Sequence, residues 1–110
     1  MNSSNPRIPL ACDMSVFTPA ERELHIQTTK DLFQSLQNLH KAENGYEFRF
    51  PNTSEIIVDM AEFISRERLC CPFLEFILKV SPGNEYITLL LTGPEDTQEF
   101  LRAEFSEVFV

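Results

Sequence analysis

The sequence predicts an α+β domain in the order β-α-β-α-β-β-α: a roughly four-stranded, largely antiparallel sheet with helices packed on one face. Three observations carry that prediction. Apolar residues alternate along Ile8–Met14 and again along Tyr46–Phe50, the period of a half-buried strand. Between and after these runs, apolar residues recur at helical spacing behind capping residues. The stretch Ser81-Pro82-Gly83-Asn84 then separates two apolar runs, as in a hairpin. The 110 residues read as one domain over 1–110, with 1–6 as a disordered tail.

The first strand places Ile8, Leu10, Cys12 and Met14 on one face, and Pro9 directs it toward a sheet edge. Thr18, Pro19 and Glu21 form the start of a helix, with Thr18 as the cap, Pro19 in the first turn and Glu21 closing a capping box. This helix is expected to run to Asn44-Gly45, a natural C-terminal stop. Tyr46, Phe48 and Phe50 face inward on the second strand. Asn52 with Glu55 suggests another capping box, and the helix it opens ends at Cys70-Cys71, because Pro72 pushes its predecessor toward extended geometry. Residues 73–80 and 85–92 form the hairpin. Pro94 and the acids of "TGPED" open the last helix.

Composition excludes several functions. Ten phenylalanines and a 43% hydrophobic fraction supply a core that needs neither metal nor disulfide to fold. The net charge of −8, without any run of Lys or Arg, argues against nucleic acid and anionic membrane as partners, since phosphate binding needs clustered positive charge. The chain has neither a signal-like N-terminal run nor the roughly 18 consecutive apolar residues of a membrane span. A cytoplasmic protein is expected, with its three cysteines reduced and no disulfide framework.

The chemistry concentrates in "ERLCCPF", residues 67–73. On a wheel of about 100° per residue, Ile56, Met60, Phe63 and Ile64 define the apolar stripe of the second helix. Glu67 falls within that stripe, flanked by Cys70 and Cys71. A buried carboxylate must be paired, protonated or bound to a cation. His25 projects from the buried side of the first helix, marked by Leu32, Leu36 and Leu39. Cys12 is on the inward face of the first strand. Thiols with imidazole or carboxylate suit Zn²⁺ or another thiophilic ion. A helix C-terminus and a nearby Glu both disfavour thiolate, so a naked nucleophile is disfavoured and a bound cation would resolve the negative charge. Each residue also has a structural reading: the cysteines as small hydrophobes, His25 as a satisfied histidine, Glu67 as a partner of Arg66 or Arg68.

The chain also resembles a family of small uncharacterised bacterial proteins across nearly its whole length. The resemblance is carried by Ile8 through Cys12 ("I-x-L-x-C"), Glu21-Arg22 and Gly45 through Phe50 ("GY-x-F-x-F"). It continues through Glu67 to Phe73 ("E-x-x-CCPF"), Leu91 through Glu95 ("LTGPE") and Glu99 through Leu101. It implies no activity, only that the cysteine positions belong to a shared pattern.

The expected function is therefore an acidic, thiol-rich domain that binds a soft metal or metalloid ion, Zn²⁺ or a more thiophilic one. Its site residues would be Cys12, Cys70, Cys71, Glu67 and His25, serving sensing, buffering or detoxification. Two alternatives stand beside it. One is thiol redox chemistry at the vicinal pair, with Cys12 as resolving thiol. The other is a non-catalytic homodimeric module in which the thiols fill the core. The pattern names no reaction.

Overall fold

A computed structural model describes residues 10–109; the expected tail at 1–6 lies outside them. Thr18 caps the first helix, Pro19–Phe33 (α1). Its hydroxyl accepts from the Glu21 N–H at 3.2 Å, and the Glu21 carboxylate accepts from the Thr18 N–H at 2.8 Å. This is the reciprocal capping box that the sequence predicts. The second helix, Ser54–Cys70 (α2), buries Ile56, Met60, Phe63, Glu67 and Cys70 along one stripe. Its cap is Thr53, whose hydroxyl accepts from the Ile56 N–H, in place of the expected Asn52. Cys71 ends it with φ −124° and ψ 69°, outside the α region that the following proline disfavours.

Two elements differ from expectation. α1 stops at Phe33, and Asn38–Ala42 (β1) forms a strand antiparallel to Gly45–Pro51 (β2), with Ala42 opposite Gly45. Asn44-Gly45 is thus the turn of a hairpin rather than a helix stop. Asn44 adopts φ 52°, a left-handed conformation that Asn tolerates and that serves both kinds of end. A side chain at Gly45 would collide with the Leu91 carbonyl of the neighbouring strand, so this position needs glycine. In the stretch expected to be a first strand, the described residues Leu10–Asp13 are irregular and Met14–Val16 is a 3-10 turn; Ile8 and Pro9 lie outside the described residues. Among the described residues the segment joins no sheet. Its Asp13 N–H instead donates to the Cys70 carbonyl at 2.7 Å, at the end of α2.

The expected hairpin is present as Glu75–Lys79 (β3) and Tyr86–Thr92 (β4), paired antiparallel. The sheet order is β1-β2-β4-β3, antiparallel throughout. The last helix, Thr97–Glu104 (α3), starts three residues after Pro94. Four strands and three helices therefore stand among the described residues, with the first strand placed at β1.

All three helices cover one face. Register aligns Leu39, Phe48, Leu89 and Leu78 across the four strands, and side chains that share a pleat share a face. Phe33 of α1 meets Phe48, Phe50 and Phe63 edge-on at 5.5, 5.5 and 5.6 Å between ring centres, and stacks on Phe105 beyond α3. Such edge-to-face pairs are favourable beyond their buried area. The opposite face is partly open, with Arg49 lying over the Tyr86 ring at 4.3 Å.

Candidate functional site

The C-terminal turn of α2 and the irregular segment before α1 bring Cys12, Glu67, Cys70 and Cys71 together. One potential ligand atom from each of the four lies within 4.8 Å of the others. The helical stripe that buries Met60 and Phe63 carries Glu67 and Cys70 inward, and the termination forced by Pro72 turns Cys71 toward the same point. Cys70 and Cys71 are fully buried and Cys12 is partly so.

Cys12 and Cys71 are joined by a disulfide, contrary to the expectation of three reduced thiols. The Asp13–Cys70 backbone hydrogen bond sets Cys12 directly beside Cys71, giving a Cα–Cα distance of 4.6 Å, within the range that a disulfide spans. Cys70 keeps its thiol. Its Sγ is 3.7 Å from the Cys71 Sγ and 3.6 Å from Glu67 Oε1, while Glu67 Oε2 is 3.4 Å from the Cys71 Sγ.

His25 stands behind this group rather than in it. Its Nε2 is 2.7 Å from Glu67 Oε1, and both side chains are almost fully buried. Phe17 and Phe63 hold the imidazole, with ring centres at 5.4 and 5.9 Å. Glu67 therefore pairs with histidine, not with an arginine. Arg66 turns away to Glu62 and to the Thr28 hydroxyl, and Arg68 is exposed.

No family model, curated protein or solved structure matches this chain. The site must be read from its own chemistry.

Burial, then the charge and hydrogen bond of Glu67, then Glu104, push the Cys70 thiol up to about 12. Burial and the neighbouring carboxylates thus favour the thiol form of Cys70 at neutral pH. The carboxyl of Glu104 is itself raised above the usual range by burial and by Glu67, with His25 partly offsetting both. Sequence reasoning singled out Cys12, Glu67, Cys70, Cys71 and His25, and it missed Glu104. That residue is the last of a short helix and is exposed to solvent like Arg102 and Ala103 before it, with no pattern to distinguish it.

Proposed function

We propose that the protein binds one soft metal or metalloid ion through Cys12, Cys70, Cys71 and Glu67 when its disulfide is reduced, and that the Cys12–Cys71 disulfide is the closed, ion-free state. The reading rests on the edge lengths of the cluster. Ligand distances of about 2.3 Å for sulfur and about 2.0–2.2 Å for oxygen, at tetrahedral angles, put ligand–ligand separations at about 3.4–3.8 Å. The Cys70 and Cys71 sulfurs are 3.7 Å apart, and the two oxygens of the Glu67 carboxylate approach them separately, Oε1 at 3.6 Å from Cys70 and Oε2 at 3.4 Å from Cys71. The Cys12–Cys71 edge is short because it is a bond, and the four ligand atoms together lie within 4.8 Å of one another. Reduction by a dithiol, which becomes the disulfide as it delivers two electrons and two protons, would free that edge. The ion then displaces the thiol protons.

His25 would orient Glu67, as a hydrogen bond behind a ligand does. Sensing, buffering and detoxification all suit such a site. A cytoplasmic setting fits a disulfide that opens and closes; among the described residues, no helix is long and apolar enough to cross a membrane.

Thiol–disulfide exchange is the second reading, favoured by the 3.7 Å approach of Cys70 to the bonded sulfur of Cys71. It is the weaker one. The best attacking thiols have pKa values near ambient pH, and the Cys70 thiol is pushed to about 12. Its product would also be a strained bond between adjacent residues.

The test is elemental analysis and thiol counting on protein titrated with Zn²⁺ or arsenite, with and without prior reduction. One ion per reduced chain, three thiols protected from alkylation and no binding to the oxidised chain are expected. A reduced chain that retains neither ion would end the proposal.

A further inference from the structure

Among the described residues the sheet ends on β1 at one side and on β3 at the other. An edge strand presents a row of backbone donors and acceptors, and a sheet that stays single guards it with an inward-pointing charge, a proline or a bulge. β1 has such a guard. Lys41 shares a pleat with Leu39, so it sets an exposed charge on the helix-covered side. β3, Glu75–Lys79, has none. It contains no proline and pairs with β4 in unbroken register. Phe76 and Leu78 stand on its helix-covered side, both only partly buried. On its open side Ile77 is 46% exposed.

The order of residues in β3 suits one neighbour, a second copy of itself. Glu75, Ile77 and Lys79 share the open side, with the exposed acid and the exposed base equally spaced about the isoleucine. Laid antiparallel with Ile77 facing the partner's Ile77, the strand sets Glu75 opposite the partner's Lys79 and Phe76 opposite the partner's Leu78. The two-fold axis repeats both pairs. Opposite charges and apolar pairs across strands are stabilising, and like charges are not. Parallel pairing would set acid beside acid and base beside base. A shift of one residue would bring open-side residues against helix-side ones, and a shift of two would separate both charge pairs.

We propose that the protein forms a two-fold dimer through β3, in register about Ile77, which joins the two sheets into one with the helices of both copies on the same side. The backbone ladder and the cross-strand pairs supply the affinity. The assembly closes at two copies, because both edges left outside are β1 with its Lys41 guard. Nothing in it depends on the thiol chemistry.

Sedimentation equilibrium of the oxidised, ion-free chain tests it, at pH 7 and low ionic strength, where exposed charge pairs are least screened. A monomer–dimer equilibrium at submillimolar concentration is expected, with no larger species. Ile77→Lys sets like charges against each other at the two-fold axis and should leave a monomer with unchanged circular dichroism. Glu75→Lys and Lys79→Glu should each weaken association about tenfold, since both charge pairs turn repulsive. The two changes together restore opposite charges and should return association to near the wild-type level, a recovery that misfolding or another interface would not give. A monomer at millimolar concentration, a dimer indifferent to Ile77→Lys, or a double variant no better than the single ones would each overturn the assignment.

Discussion

His25 Nε2 and Glu67 Oε1 meet at 2.7 Å, joining α1 to the last turn of α2 inside the core. The contact sets the orientation of the one carboxylate that faces the sulfur atoms, and it compensates a charge that burial would otherwise make costly. His25→Ala leaves that carboxylate without its partner. A buried group stripped of its charge-assisted partner costs about 3 kcal/mol, so the denaturation midpoint should fall accordingly. His25→Gln, which can still donate to Glu67, should recover part of the loss. Equal losses in the two variants would mean that the ring's packing between Phe17 and Phe63, not the hydrogen bond, is what matters.

The disulfide closes a loop between positions 59 apart in sequence. Constraining a loop of that size lowers the entropy of the unfolded chain by an amount worth about 4 kcal/mol, of which real proteins typically realise about 2–4. Cys12→Ser should therefore destabilise the oxidised protein by an amount in that range. Against the reduced wild type the same variant should be nearly neutral. The check is a pair of denaturation curves with and without dithiothreitol. A deficit that persists under reduction would assign Cys12 a packing role instead.

Most of the architecture is legible in local pattern. The capping box at Thr18, the stripe of α2 with its stop before Pro72, and the hairpin around Gly83 each rest on residues that have one physical reading. The error lies where a signal has two. Asn44-Gly45 can end a helix or turn a hairpin, and Leu36 and Leu39 suit either continuation, so β1 is hidden within an apparent long helix. The alternation of Ile8–Met14 is genuine, but the segment lies against α2 and forms no part of a sheet among its described residues. The site was visible because Glu67 and His25 interrupt apolar stripes and the cysteines are few. Their mutual distances, the disulfide and the approach of Glu104 depend on tertiary geometry that no local pattern encodes.

Glu104 supplies a test by pH. Its folded-state carboxyl is raised above the ordinary glutamate value of 4.5 by burial and by Glu67, so the folded protein binds the proton more tightly than the unfolded chain does. The sign follows from linkage: stability falls as pH rises through 4.5 toward the raised value, and the penalty then persists at neutral pH. Glu104→Gln removes the titration. The variant should melt slightly above wild type at pH 7, with the difference vanishing below about pH 4. A difference that grows on acidification would contradict the raised carboxyl.

Glu67→Gln separates the roles open to this carboxylate, because it keeps size and hydrogen-bonding capacity while removing the charge. If Glu67 neutralises a thiolate-bound ion, the reduced variant should fold normally and bind Zn²⁺ on the order of 10–100-fold more weakly. The same change withdraws a negative charge and an acceptor that both push the Cys70 thiol up. Cys70 should then titrate lower and react faster with iodoacetamide at pH 8 in the oxidised protein, where it is the free cysteine. A purely structural carboxylate predicts another pattern, with a lowered melting midpoint and unchanged ion affinity. The three readouts move independently, since burial limits alkylation, the charge sets thiolate formation and the full ligand set governs the ion. Faster alkylation alongside unaltered Zn²⁺ affinity would leave Glu67 as a suppressor of thiol reactivity and remove it from the proposed ligand set.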